Sequence, residues 1–337
     1  MIRCVTTLLA ICGFAAAASA HPPYGLIADR RGDIYFSDLE TVWRLSADGK
    51  LSVFRPAIPD THVHELALAP DGAIEGDQNR YDPVTQRHYT GLWSRTPSGI
   101  ERAIVPMTER PPGGAGVILD RASNRYVTQW ISNGDRRMQL LRRRPDGHID
   151  VLFDETEGAS PPIAVSVAGV GGMAFGSDGS LYFAAGNKLR RRALNGTVST
   201  TYEGGAGSSL RGLTATPDAV LAADIGARSV LSIDATGTAT TLYRETRAWL
   251  PTAVARANGR LLVLEANADP YEYDERVRLI EVTKGRGRVI ASPRNAARAA
   301  LPLRSASEGT PSIGVIFLVG LGATAALLIV LLLRAKS

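Results

Sequence analysis

The chain has 337 residues, with 38 Lys and Arg against 33 Asp and Glu and a formal net charge of +5. So thin a positive surplus, almost all of it arginine, forms no basic stripe and argues against nucleic acid as a partner. Both cysteines, Cys4 and Cys12, fall at the N-terminal end, which excludes disulfide stapling and thiol catalysis in everything that follows.

Residues 1–20 read as a secretory signal peptide. Arg3 is the early positive charge, residues 5–18 are an apolar run, and Ala18, Ser19 and Ala20 supply the small residues of a cleavage site. Ile11 is too bulky before Cys12 for lipoprotein processing. His21, Pro22 and Pro23 then open a chain that cannot continue a helix. Residues 21–291 form the body of the protein. A fold without disulfides needs a large core, and a body of roughly 270 residues can supply one. Residues 292–312, rich in Ala, Pro, Arg and Ser, read as a flexible linker. Residues 313–333 carry no charge, and as a helix they span about 31 Å, close to the roughly 30 Å of a bilayer's hydrocarbon. Arg334 and Lys336 follow in the short tail 334–337. The positive-inside rule puts that tail in the cytoplasm and the rest of the chain outside. The expectation is an exported, single-pass protein held at a cell membrane on its periplasmic or extracytoplasmic side. Bacterial sorting tails, which are later cleaved, share this combination.

Within the body one phrase recurs: a short apolar strand, a glycine turn, a second strand, a variable loop, an apolar-and-arginine strand, another glycine turn and a last strand. The first copy runs from Gly25 through Asp33, Tyr35 and Asp38 to Trp43, Gly49 and Phe54. Later copies centre on Asp71-Gly72, Asp146-Gly147, Asp178-Gly179, Asp224 with Gly237, and Gly259. Alternating apolar runs separated by such turns predict antiparallel strands in tight hairpins. No segment sustains a helical apolar period. Six four-stranded units at this spacing predict an all-β fold, a six-bladed β-propeller, in preference to a β-sandwich, which would lack the repeat.

The phrase around Gly25-Leu26-Ile27-Ala28-Asp29 and Gly32-Asp33-Ile34-Tyr35-Phe36, with its five echoes, resembles NHL repeats. It is also similar to the wider gluconolactonase and strictosidine-synthase-like propellers. The resemblance covers residues 22–291 and implies a fold more than a function, because such propellers host binding, scaffolding and catalysis alike. It further implies that polar residues starting the first strands or ending the second strands ring one mouth of the central channel. Those residues are Asp38, His64, Glu65, Asp77, Gln129, Asn187, Arg211, Asp224 and Glu265. Three long second-to-third-strand loops are expected beside them: 76–91 with Asn79, Tyr81 and His88, 129–137 with Trp130, and 266–275 with Asp269.

His62, Val63, His64 and Glu65 invite a metal reading, because alternate residues of an extended segment point the same way. Zinc needs three or four converging ligands, and only His64, Asp77 and His88 are placed to converge. A hydrogen-bonded histidine pair is the plainer reading. The metal-dependent lactonases that the fold resembles carry a Glu, two Asn and an Asp on separate blades. Glu65 matches the Glu, but Gly171 and Gly172 stand where one Asn belongs and Arg211 stands where the Asp belongs. An arginine there would repel a divalent cation. If a metal were bound, Glu65, Asn187 and Asp224 would be the remaining ligands and calcium or zinc the ion. No cofactor is otherwise expected. The runs 142–144 and 190–192, all arginine, occupy one place in two repeats and read as a solvated strand face. The glycines at 169, 171 and 172 imitate a dinucleotide fingerprint, but a strand follows where a helix would be needed. The sequence thus points to a binding, sensing or scaffold module without a visible catalytic set. Its partner would be a protein, glycan or small molecule, and a divalent-metal hydrolase or lactonase is the alternative.

Overall fold

The computed structural model describes residues 22–82, 84–109, 117–120, 122–133, 135–156, 172–267 and 277–293, of which 128–133, 135, 136 and 156 are described as backbone only. The expected signal peptide, anchor helix and nearly all of the linker lie outside the described residues. The chain divides into two units, Met1–Arg298 and Ala299–Ser337, and all described residues belong to the first. None of their helices is long and apolar enough to cross a membrane.

The first unit is a six-bladed β-propeller, each blade a four-stranded antiparallel sheet made from four consecutive strands. Blade 1 is β1–β4 (Leu26–Ala28, Ile34–Ser37, Val42–Leu45, Leu51–Arg55). Blade 2 is β5–β8 (Leu66–Leu68, Ile74–Asp82, Arg87–Arg95, Glu101–Glu109). Blade 3 is β9–β12 (Ile118–Leu119, Arg125–Asn133, Asp135–Arg143, Ile149–Thr156). Blade 4 is β13–β16 (Met173–Phe175, Leu181–Ala185, Lys188–Arg192, Val198–Glu203). Blade 5 is β17–β20 (Leu210–Ala215, Ala219–Asp224, Ser229–Asp234, Ala239–Arg244). Blade 6 is β21–β24 (Trp249–Ala257, Arg260–Asn267, Val277–Thr283, Arg286–Ala291).

The period has a backbone cause. Every blade turns from its third to its fourth strand at one glycine, Gly49, Gly99, Gly147, Gly196, Gly237 or Gly285, with φ between 75° and 97°. Only glycine adopts that left-handed conformation without strain. The same outer strand pair slips register once or more in every blade, as between Val42 and Trp43 or Leu140 and Leu141. Bulges of this kind raise the local twist that a radial blade requires.

Blade faces are apolar because each must cover its neighbour. Tyr35, Val42, Phe54, Ile74 and Trp93 fill the seam between blades 1 and 2, and Tyr126, Leu140, Met173 and Phe183 the seam between 3 and 4. Among the described residues no strand is exchanged to close the ring. Blade 6 meets blade 1 through side chains alone, with Tyr24, Leu26 and Phe36 against Ala253, Ala255, Leu264 and Leu279. The seam between blades 2 and 3 has a small apolar cluster, Ala67, Leu92 and Val117. There the guanidinium of Arg125 reaches across to Glu75, at 2.9 Å, in a largely buried ion pair.

Two of the expected loops are strand. Residues 76–82 and 87–91 continue β6 and β7 out to a turn at 84–86, with Tyr81 paired to His88 and Asn79 to Thr90. Residues 129–133 and 135–137 continue β10 and β11, pairing Gln129 with Gln139 and Trp130 with Met138. β-branched and aromatic residues at 81, 89, 90, 130 and 131 favour a pleated surface, so the hairpins extend instead of breaking into loops. The third expected loop, including Asp269, lies outside the described residues except for Ala266 and Asn267, which end β22.

Candidate functional site: the mouth of the central channel

The six innermost strands surround a channel of about 320 Å³. Aliphatic and aromatic side chains, Leu26, Leu66, Val117, Met173, Phe175, Leu213 and Ala255 among them, line it together with an equal share of polar surface. Backbones approach closely here. A Cβ added to Gly212 would lie 2.6 Å from the Cα of Ala253, and one on Gly172 would lie 2.5 Å from the nitrogen of Leu213. The lactonase-like side chain missing near this point in the sequence could not stand at Gly172 without moving blade 5.

Polar groups gather where the innermost strands begin. Tyr24 precedes β1, His64 and Glu65 precede β5, and Arg211 lies early in β17. The Tyr24 amide donates to the His64 carbonyl at 3.2 Å, and the two rings stack with centroids 6.1 Å apart. Asp77, on β6, locks the entry to β5. Its Oδ1 accepts the amides of His64 and Glu65 at 2.7 and 2.8 Å, and its Oδ2 lies 3.4 Å from His64 Nδ1. The Asn79 carboxamide is oriented by Thr90, whose hydroxyl donates to Asn79 Oδ1 at 2.9 Å. Asn79 Nδ2 therefore faces both Asp77 Oδ2 and His64 Nδ1 as a donor. A ring nitrogen that accepts this bond carries no proton, so neutral His64 is protonated at Nε2.

Glu65 and Tyr24 line the channel. Among the described residues, none donates a hydrogen bond to the Glu65 carboxyl and none bonds the Tyr24 hydroxyl. Glu65 is half-buried at the channel wall, and burial first, then the neighbouring Asp77, push its carboxyl well above the usual carboxylate range. Burial also raises the Tyr24 phenol, reinforced by Glu65 and Asp77 and opposed by Arg211. Arg211 is therefore close enough for its charge to reach the phenol. A bulge at Gly212, between the pairings of Arg211 and Leu213, sets the local bend of β17.

The other sequence-derived candidates are engaged elsewhere. Asp224 is buried, and its carboxylate takes bonds from the Ser208 hydroxyl and the amides of Ser209 and Ala227. Asn187 donates to the Gly204 carbonyl at 2.7 Å. Asp38 accepts Trp43 Nε1 at 2.7 Å and the amides of Glu40 and Thr41. Glu265 is fully buried in a network with Tyr243, Arg278 and Glu245 between blades 5 and 6. Tyr81 is exposed near the tip of the blade 2 hairpin, its ring 4.8 Å from that of His88, so His88 stands with Tyr81 and not with His64. Gln129 and Trp130 are placed on β10 as backbone only. Tyr24 was not among the sequence candidates, although it holds in blade 1 the place that His64 holds in blade 2, with Gly25 at the place of Glu65. Its register in the repeat was the available signal.

Among the described residues no group of three or more His, Cys, Asp or Glu could hold a metal ion. The donor set of the lactonase-like reading is thus not assembled: Asp224 and Asn187 are bound within their own blades, and Arg211 stands at the mouth. The arginine runs are a ladder of ion pairs. Arg144 and Arg142 hold the Asp150 carboxyl down to about 2. Arg191 does the same to Asp178, and Arg190 pairs with Glu155 of the preceding blade.

This architecture and mouth define the chain as a six-bladed β-propeller with a polar cluster at one end of the central channel. No protein-family model matches it, and no curated protein matches it in sequence. Solved structures share the fold. A PQQ-bound aldose sugar dehydrogenase from Streptomyces coelicolor is 16% identical with a TM-score of 0.51, covering 78% of this chain and 95% of the other. A gluconolactonase from Xanthomonas campestris is 12% identical with a TM-score of 0.51, covering 73% and 83%. A chain of a nidogen/laminin complex is 15% identical with a TM-score of 0.51, covering 76% and 91%. At these identities the likeness is one of fold alone; the three span two enzymes and a protein–protein complex.

Proposed function

We propose that this protein is a ligand-binding propeller, exported and tethered to a membrane by its C-terminal helix. Its site is the channel mouth built by Tyr24, His64, Glu65, Asp77 and Arg211. The observation that carries this reading is that the Glu65 carboxyl and the Tyr24 hydroxyl line the channel without a hydrogen-bonding partner among the described residues. A ligand that pairs with them gains hydrogen bonds worth about 0.5–1.5 kcal/mol each, more where one partner is charged. A cavity with a few convergent polar groups is the general form of a small-molecule site. Export and tethering are supported by residues 1–20 and 313–336. The metal-dependent hydrolase is the weaker reading, because its ligands do not converge.

The test is a thermal-shift screen of small molecules against the full-length protein, repeated with Glu65→Gln and Tyr24→Phe. Hits at the mouth lose at least tenfold in affinity in one or both variants. Hits that bind all three proteins equally would place the site elsewhere.

A further inference from the structure

The mouth face carries a cluster of arginines that no carboxylate answers. Arg228 lies in the turn joining β18 to β19, Arg244 ends β20, and Arg247 follows on the link to blade 6. All three are exposed. Backbone carbonyls hold them together. Arg228 Nη1 donates to the Arg247 carbonyl at 2.5 Å, Arg244 Nη1 to the Ala227 carbonyl at 3.1 Å, and the Glu245 amide to the Arg228 carbonyl at 2.9 Å. Among the described residues no carboxylate pairs with any of the three. Glu245 is turned inward to Tyr243 and Arg278, whereas arginines elsewhere on the blades, such as Arg95, Arg142 and Arg191, meet acids. The opposite face mixes its signs: exposed Arg30, Arg31 and Arg256 share it with Asp71, Asp146 and Asp234, which cap its turns by accepting backbone amides. The chain also leaves the propeller on the mouth face, because β24 starts at the Gly285 turn on the far side and ends at Ala291. Residues 294–312, with Arg294, Arg298 and Arg304 against Glu308, separate that end from the uncharged run 313–333. Read as a flexible linker, they would hold the end of β24 within roughly 25 Å of a bilayer.

Resting on the tethered reading above, we propose that Arg228, Arg244 and Arg247 dock the propeller on the anionic phospholipid surface to which the chain is anchored. A guanidinium suits a phosphodiester, offering it paired N–H donors, and the bonds that Arg228 and Arg244 make to carbonyls use only one nitrogen of each. Those bonds also fix the side chains in place, which lowers the ordering cost of binding. Each arginine near an anionic surface is attracted weakly, but the anchor makes the encounter intramolecular, so weak contacts suffice. Blade 5 lies across the six-bladed ring from blade 2. Docking through this one rim therefore tilts the mouth towards the headgroup layer without sealing it.

Energy transfer from the propeller to the bilayer tests this. The cysteines of the full-length protein fall only at positions 4 and 12. With both replaced by serine, a donor dye is attached at Ala248→Cys, beside the cluster, or at Ala235→Cys, in the opposite turn of the same blade; both positions are exposed. The protein is reconstituted in vesicles of phosphatidylcholine alone or with phosphatidylglycerol, each carrying a rhodamine-labelled lipid as acceptor. In phosphatidylglycerol vesicles transfer from position 248 should exceed that from position 235. The difference should vanish in pure phosphatidylcholine and at about 1 M salt, where screening acts within ~3 Å. Replacing all three arginines by glutamine should lower the docked-to-free ratio roughly a hundredfold and abolish the difference, with the unfolding midpoint confirming that the variant folds. The salt series on the unsubstituted arginines tests the proposal whether or not the variant folds. If the protein does not float with the vesicles at high salt, the tether falls and the docking with it. If it floats but the two labels transfer equally, or their difference ignores lipid charge and salt, the tether stands and the docking falls.

Discussion

Arg278 offers the most demanding test of how blades 5 and 6 are joined. Its Nε donates to Glu265 Oε2 at 2.7 Å and its Nη2 to Glu245 Oε2 at 2.9 Å, while its guanidinium lies 4.2 Å from the centroid of the Trp249 ring. The Tyr243 hydroxyl sits between the two acids, 2.6 Å from Glu245 Oε2 and 2.9 Å from Glu265 Oε1. It has one proton for two carboxyls. The contradiction resolves if Glu265 is protonated and donates to the Tyr243 oxygen while Tyr243 donates to Glu245. The titration directions agree. Burial, partly offset by Arg278 and Tyr243, raises Glu265. Burial is also the largest influence on Glu245, but the Tyr243 bond, the amides of Arg247 and Thr246 and the charge of Arg278 together hold it low. Arg278→Met removes the cation that Glu265 and Glu245 share and leaves two buried carboxyls without it, which costs about 3–5 kcal/mol. Protonating Glu265 relieves part of this, so the loss is smaller at pH 5 than at pH 8. Urea unfolding followed by circular dichroism at both values measures it. A loss below ~1 kcal/mol at pH 8, the size of a surface pair, would refute the reasoning, as would a loss independent of pH.

Further outcomes follow from the same geometry. Glu65 keeps its proton when folded at pH values where the unfolded chain releases it, so its contribution is full below about pH 4.5 and lost as pH rises towards its folded value. Glu65→Gln should therefore flatten the fall in melting temperature between pH 5 and 8, and an unchanged slope would contradict the assignment. Gly212→Ala should cost about 1–3 kcal/mol by overpacking, because its Cβ would lie within 2.7 Å of Ala253 and the Thr252 carbonyl. Gly205→Ala, with nothing within 4 Å of the new Cβ, is the control and should change little in the same chemical denaturation. Arg125→Leu leaves Glu75 buried without its cation at the seam between blades 2 and 3, and about 3–5 kcal/mol should be lost. Hydrogen exchange should then rise first in those two blades. Millimolar calcium or zinc should leave the melting temperature unchanged, and a saturable rise would restore the metal reading.

The blades were legible because their cause is local. A glycine at positive φ and a short alternating run recur in each unit, and both depend on neighbours in sequence. The long hairpins of blades 2 and 3 were not legible. Arg80, Gln86 and Arg87 read as loop, whereas cross-strand pairs such as Tyr81 with His88 make much of this stretch strand. Of the polar ring read from the repeat, His64 and Asp77 meet in the structure. Sequence could not tell these from Asp224 or Glu265, since all four are acids or bases at equivalent strand ends. What separates them is whether Ser208, Tyr243 or Arg278 lies within hydrogen-bonding distance.

The sequence by itself determined the all-β class, the six blades and the positions of the strand ends that form the mouth, because period and turn chemistry act over a few residues. Only the tertiary structure decided that the ring closes by packing blade 6 on blade 1 without a shared strand. It also decided that Tyr24 joins Glu65 at the mouth, and that Gly172 and Gly212 hold neighbouring blades in contact. Those outcomes depend on side chains far apart in the chain meeting across a narrow axis, where one methyl group more or one hydrogen-bond donor fewer changes which groups remain free.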